Sequence, residues 1–160
     1  MGPRIWFIDT SVLDHILQVP GYSKKGGARD DVLETLRTRI DDKHLFLLPI
    51  TAVVETGNHI CQAKGDRREA AQRFADVLKK VVEGKSPWVL DAVQWDGTFL
   101  QAFLEGGETG MPWIDLAASK TMGGGDLSIL VERQQYCERN GKSVCDVGIW
   151  TLDKVLGAFS

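Results

Sequence analysis

The sequence predicts a single α/β domain of three layers, α/β/α, built on a parallel sheet of four strands. Three observations lead there. Short apolar runs rich in β-branched and aromatic residues occur at 5–8, 45–48, 88–90 and 147–151, and such runs are the habit of strands buried on both faces. Helical spacing fills the intervals between them, and strand–helix alternation implies parallel strands joined by right-handed crossovers. The length of 160 residues suits one domain, 1–160, with a sizeable core.

The first strand, Ile5-Trp6-Phe7-Ile8, runs out at Asp9 and is followed by Thr10-Ser11. Ligands of open α/β sheets bind just beyond the carboxyl ends of the strands. Asp9 is therefore well placed for chemistry, the alternative being that it caps the next helix. Apolar residues at 12, 13, 16, 17 and 19 predict a helix over 12–19, ended by Pro20-Gly21. Residues 22–28, with Lys24, Lys25, Gly26 and Gly27, form a flexible basic loop. Over 29–40 an amphipathic helix places Val32, Leu33, Leu36 and Ile40 on one face.

The second strand stops at Pro49, and Thr51 caps a helix to about residue 63 with Glu55 one turn in. The neighbouring Val53 and Val54 suggest that this helix is largely packed. A long helix over 67–82 turns Ala70, Ala71, Phe74, Val77, Leu78 and Val81 inward. After the short third strand comes a helix over 96–104, with Phe99, Leu100 and Phe103 apolar. The segment 105–125 is broken by glycines, with a helical turn or two at 113–118. Asp126 opens a helix to about 138, and the fourth strand ends at Leu152-Asp153.

A composition of 43% hydrophobic and 26% charged residues excludes disorder, coiled coil and collagen. No apolar run approaches the roughly 18 residues of a membrane span. Met1-Gly2-Pro3-Arg4 leads into the first strand without the apolar core of a signal peptide. The three cysteines form no CxxC pair. Together these predict a reduced, cytoplasmic protein with no membrane partner. A net charge of −3 argues against general nucleic-acid binding by charge, though not against one local contact.

Four acids share a pattern. Asp9 and Asp153 follow the first and last strands, Glu55 lies early in the helix after the second, and Asp126 begins the helix leading to the fourth. Connectivity puts Asp9, Glu55 and Asp153 on one edge of a parallel sheet. Asp126 joins them if Gly123-Gly124-Gly125 turns the chain back. Each has a plainer role: Asp126 as an N-cap, Glu55 as a solvated residue, Asp153 as the start of a turn. Gathering all four is costly, because two unit charges about 4 Å apart repel by roughly 4 kcal/mol at an effective dielectric of 20. Either some are protonated or a divalent ion sits among them. Oxygen ligands without His or Cys suit Mg²⁺ or Mn²⁺. The same repulsion predicts that Asp126→Asn or Asp153→Asn raises the melting temperature of the metal-free protein.

Four segments in order now resemble the PIN-domain family of metal-dependent nucleases, which includes the VapC-like toxins. They are Phe7-Ile8-Asp9-Thr10-Ser11-Val12-Leu13, Ile50-Thr51-Ala52-Val53-Val54-Glu55, Gly125-Asp126-Leu127-Ser128-Ile129-Leu130 and Ile149-Trp150-Thr151-Leu152-Asp153. The resemblance implies that Asp9, Glu55, Asp126 and Asp153 are catalytic and bind one or two Mg²⁺ or Mn²⁺ ions, Asp9 most directly. It implies that the hydroxyls of Thr10, Ser11 and Thr151 orient those acids or a water. The implied activity is hydrolysis of RNA phosphodiesters by metal-activated water, in the toxin of a type II toxin–antitoxin pair. Implied partners are an RNA substrate and a cognate antitoxin protein, with a homodimer as one assembly. The implied sheet order is 3-2-1-4, strand one central, without the family's frequent fifth strand.

A catalytically inert PIN-like module, acting through protein or RNA contacts, is the alternative. A phosphatase of the haloacid dehalogenase type would want a second Asp where Ser11 stands, and a receiver domain would want an acidic pair around the first strand, which is not evident. Neither GxGxxG nor GxxxxGK[ST] occurs. Asp14 and Asp115 are expected on solvated surface. His59, one turn after Glu55, is expected as a polar residue on a helix face. Lys24, Lys25, Arg29, Lys64, Arg67 and Arg68 could meet phosphates, and Trp95 and Trp113 are expected in the core or at an interface rather than against bases.

Overall fold

The computed structural model describes residues 2–160. Four parallel strands, β1 (Ile5–Ile8), β2 (Leu45–Leu47), β3 (Trp88–Val89) and β4 (Val147–Trp150), lie in the order β3-β2-β1-β4. This is the predicted order, with β1 inside the sheet. Register sets Trp6 beside Phe46 and Gly148, and Phe7 beside Leu47 and Ile149. Because side chains alternate along a strand, Phe7, Leu47, Val147 and Ile149 line one face, while Ile8, Phe46, Trp88 and Trp150 line the other.

Each face has its own helical layer, as a three-layer architecture requires. The helices α1 (Thr10–Ile16), α2 (Gly27–Asp41), α3 (Ile50–Gln62) and α4 (Arg67–Val82) bury Leu13, Val32, Ile60 and Phe74 against the second face. The helices α5 (Gly97–Glu105), α6 (Trp113–Ala118), α7 (Gly124–Asn140) and α8 (Lys154–Gly157) bury Phe99, Leu116, Leu127 and Leu156 against the first. Burial of this kind is worth roughly 1.5–3 kcal/mol for each large apolar side chain. It stabilises β1 doubly, since Phe7 and Ile8 serve opposite layers. No helix among the described residues is long and apolar enough to cross a membrane.

Several local expectations shift. The first helix begins at Thr10 and ends at Ile16, not over 12–19. Leu17 and Val19 are buried by the turn that follows, where Gln18 takes a φ of 54°. The basic loop is shorter than expected because α2 already starts at Gly27. Pro49, rather than Thr51, occupies the N-cap of α3, and the last helix of the sheet edge, α7, is entered through Gly123 rather than capped by Asp126. Ala71, Ile40 and Leu100 face solvent. Each lies near the margin of its helix's apolar stripe, and the narrow sheet covers only part of that stripe.

Two contacts pack against the Trp6 ring. Gly148 sits directly under the Trp6 ring, where any β-carbon would overlap it. The Arg39 guanidinium lies 3.5 Å from the centre of the Trp6 ring and 4.5 Å from that of Trp150. Burial lowers its pKa to about 10, and cation–π attraction to two rings offsets part of that desolvation.

Candidate metal centre

At the carboxyl ends of β1 and β4 the chain builds a web of hydroxyls and acids. Asp9 follows β1 with its backbone N–H bonded to Trp150 O at 3.0 Å. It occupies the N-cap position of α1, yet its side chain makes no capping bond. Instead Asp9 Oδ2 accepts from Thr151 Oγ1 at 2.7 Å and from Ser11 Oγ at 2.8 Å. Its other oxygen, Oδ1, has no hydrogen-bond partner among the described residues. Asp9 is 6% exposed. The role of simple helix cap therefore fails for this residue.

Glu55 and Asp153 stand at the rim, both exposed. Glu55 Oε2 accepts from Thr10 Oγ1 at 2.8 Å, which ties the start of α1 to α3. The helix is less packed here than expected, since Val54 beside it is also exposed. Asp153 is linked to the same web through its N–H, which donates to Thr151 Oγ1 at 3.0 Å. Its Oδ1 accepts from Leu156 N at 2.9 Å, so it also caps α8.

Asp126 lies in the first turn of α7 and is the acid that senses all the others. Its pKa is raised from 3.8 to about 6, first by burial, then by the charges of Asp9, Asp153 and Glu55. Four segments distant in sequence thus bring negative charge into one neighbourhood. The triple glycine matters at one position: a β-carbon on Gly125 would stand 2.7 Å from Glu55 Oε1 and 3.2 Å from Thr51 Cγ2. Only a glycine leaves the Glu55 carboxylate its place against α7.

These residues form an electrostatic pocket and not a closed cage. Among the described residues no group of three or more His, Cys, Asp or Glu side chains is set at metal-holding geometry. The donor chemistry nevertheless suits a hard dication: all the acids offer oxygen, Asp9 Oδ1 is unengaged, and Gly125 keeps a cradle open beside Glu55. Burial first, and then the neighbouring acids, raise the Asp126 pKa to about 6, and a dication would offset the share that comes from repulsion. A surface cavity of about 750 Å³ lies elsewhere, lined by residues that include Arg4, Trp6, Arg39 and His44 at the amino ends of the strands.

The structure also places residues that the sequence reading set aside. Asp14 is 4% exposed rather than solvated, and its Oδ2 lies 2.7 Å from His59 Nδ1. Burial raises its pKa, opposed by the hydrogen bond and charge of His59. The signal was present: Asp14 follows Thr10 by four residues and His59 follows Glu55 by four, so both pairs share the facing sides of α1 and α3. Asp115 is exposed, as expected. Trp95 is 54% exposed and stacks on Phe99, while Trp113 packs half-buried on Phe103.

Two buried ionisable residues of α7 were not foreseen. Glu132 Oε1 accepts from Ile50 N at 3.2 Å, and burial pushes its pKa up to about 7. Arg133 donates to Val147 O, Phe159 O and Glu108, fastening β4 and the chain end to α7. Both follow the apolar stretch from Leu127 to Val131, which conceals them from a reading by periodicity.

An open parallel α/β sheet with carboxylates gathered past its strand ends is the class that fold and site define. Comparison of the chain with family models, with characterised proteins and with solved structures gives no match.

Proposed function

We propose that this chain is a Mg²⁺- or Mn²⁺-dependent endoribonuclease of the PIN-domain kind, acting as the toxin of a toxin–antitoxin pair. The observation that carries the reading is the hydroxyl web binding Thr10 to Glu55, and Ser11 and Thr151 to Asp9, at the strand ends. The resemblance of four ordered segments to PIN-domain nucleases supports the choice of RNA, the toxin role and an antitoxin partner.

In this reading Asp9, Glu55, Asp126 and Asp153 hold the ion or ions. A dication bound there supplies a water of lowered pKa as nucleophile and neutralises charge developing on the phosphodiester. The chain's own contribution is positioning. Thr151 and Ser11 lock Asp9 Oδ2 and leave Oδ1 without a partner among the described residues, while Thr10 fixes the carboxylate of Glu55. Asp126 must lose its proton to bind, so protons compete with metal below about pH 6.

The test is incubation of the purified protein with structured and unstructured RNA, with Mn²⁺ or with EDTA. Cleavage is expected only with metal and is expected to be lost in Asp9→Asn. Metal-independent cleavage, or cleavage that survives Asp9→Asn, would overturn the mechanism. The inert binding module is favoured by one feature, the commitment of Asp153 Oδ1 to capping α8. Calorimetry separates the two readings, because the inert module shows no Asp9-dependent uptake of Mn²⁺.

A further inference from the structure

The turn between α1 and α2 brings an aromatic ring, cations and a cavity together close to the acids. Tyr22 lies flat on His59, with ring centres 3.9 Å apart and planes within 7° of parallel. His59 is itself held by the buried Asp14, so the stack rests on an anchored base. Tyr22 keeps 39% of its surface exposed. With His15, Lys24 and Lys25 it lines a cavity of about 410 Å³. Neither lysine is paired with an acid among the described residues. A methyl on Gly65 would lie 3.0 Å from Pro20 Cβ, so the exposed Lys64 comes alongside the same turn.

The position of this ledge relative to the acids follows from helix geometry. Asp14 and His59 each sit four residues beyond Thr10 and Glu55, a displacement of about 6 Å along the helix axes. That is the rise of one to two nucleotides. An aromatic face both clamped and exposed suits a nucleobase, and unpaired lysines suit the phosphate beside it.

We propose that the Tyr22–His59 ledge is a base-binding subsite, stacking an unpaired base of the RNA next to the scissile bond, with Lys24 and Lys25 on the adjoining phosphate. The inference rests on the ribonuclease reading and adds a base-binding subsite to that site. A duplex cannot use the ledge, because both faces of its internal bases are already stacked.

Fluorescence anisotropy of a short labelled single-stranded RNA, measured in EDTA so that nothing is cut, tests this on the full chain. Tyr22→Ala and Tyr22→Leu are expected to weaken binding about 5- to 100-fold, the usual worth of one base–aromatic stack. Tyr22→Phe is expected to bind like the unmodified protein, and Lys24→Ala with Lys25→Ala to flatten the salt dependence. Tyr22→Leu keeps apolar cover over His59, and circular dichroism verifies that each variant is folded. Unchanged affinity in folded Tyr22→Leu, duplex bound as tightly as single strand, DNA preferred to RNA, or no RNA bound at all would each overturn the proposal. Metal-dependent cleavage with affinity indifferent to Tyr22 would sink the ledge and leave the nuclease standing. Tyr22-dependent binding without any cleavage would sink the nuclease and uphold the ledge.

Discussion

Replacing Asp126 by asparagine should stabilise the metal-free protein, and the amount can be worked from its surroundings. A carboxyl whose pKa rises from 3.8 to about 6 on folding carries up to ~3 kcal/mol against the folded state at neutral pH. Asp126 is only half-buried, and solvent reaches the rim at Glu55 and Asp153. Screening therefore reduces the figure to about 1–2 kcal/mol. The sign follows from proton binding. The folded state holds the proton more tightly, so its advantage is complete below about pH 3.8 and is lost as pH rises through about 6. Asp126→Asn should then melt ~3–6 °C higher than the unmodified protein near pH 7.5, and the gap should close near pH 4. Thermal unfolding in EDTA across that range measures it. Added Mn²⁺ should raise the unmodified protein by mass action and leave Asp126→Asn unmoved. A lower melting point for Asp126→Asn, or a gap that does not change with pH, would refute the reasoning. Asp153→Asn, expected from repulsion alone to behave alike, should move less: Asp153 is exposed and its cap on α8 is kept by asparagine.

Two further changes separate site from scaffold. Gly125→Ala puts a methyl 2.7 Å from Glu55 Oε1 in a helix where alanine is favoured by ~0.5–1 kcal/mol. The melting point should hold or rise slightly, while a displaced Glu55 should lower metal-dependent RNA cleavage at least ~10-fold; unchanged cleavage rates would clear Glu55 of a role. Glu132→Gln keeps an acceptor for Ile50 N and removes a buried charge whose pKa is raised from 4.5 to about 7. Melts at pH 5 and pH 8 should show the variant gaining ~1–2 kcal/mol only at the higher pH, and a loss there would mean that the ionised carboxylate is needed.

Strand positions and the alternation of helices were legible because apolar runs and helical spacing are local properties. So was the edge on which the acids meet, since a parallel sheet leaves connectivity no other choice. Helix ends were less so. Thr51 looked like a cap because of its chemistry, but a cap is defined by backbone angles, and Pro49 holds the extended conformation just before Ile50. Asp14 looked solvated because a single acid carries no mark of its partner. His59, 45 positions away, becomes that partner only once α1 and α3 are laid together. Glu132 and Arg133 were illegible for a related reason: a long buried helix leaves no polar face against which to notice them.

The bond from Thr151 to Asp9 joins positions 142 apart in the chain. A nascent polypeptide emerging amino end first has β1 and its acid early, but it lacks the oxygen that orients that acid until residue 151 has been added. Any activity of this pocket is therefore withheld from chains that stop short of Thr151.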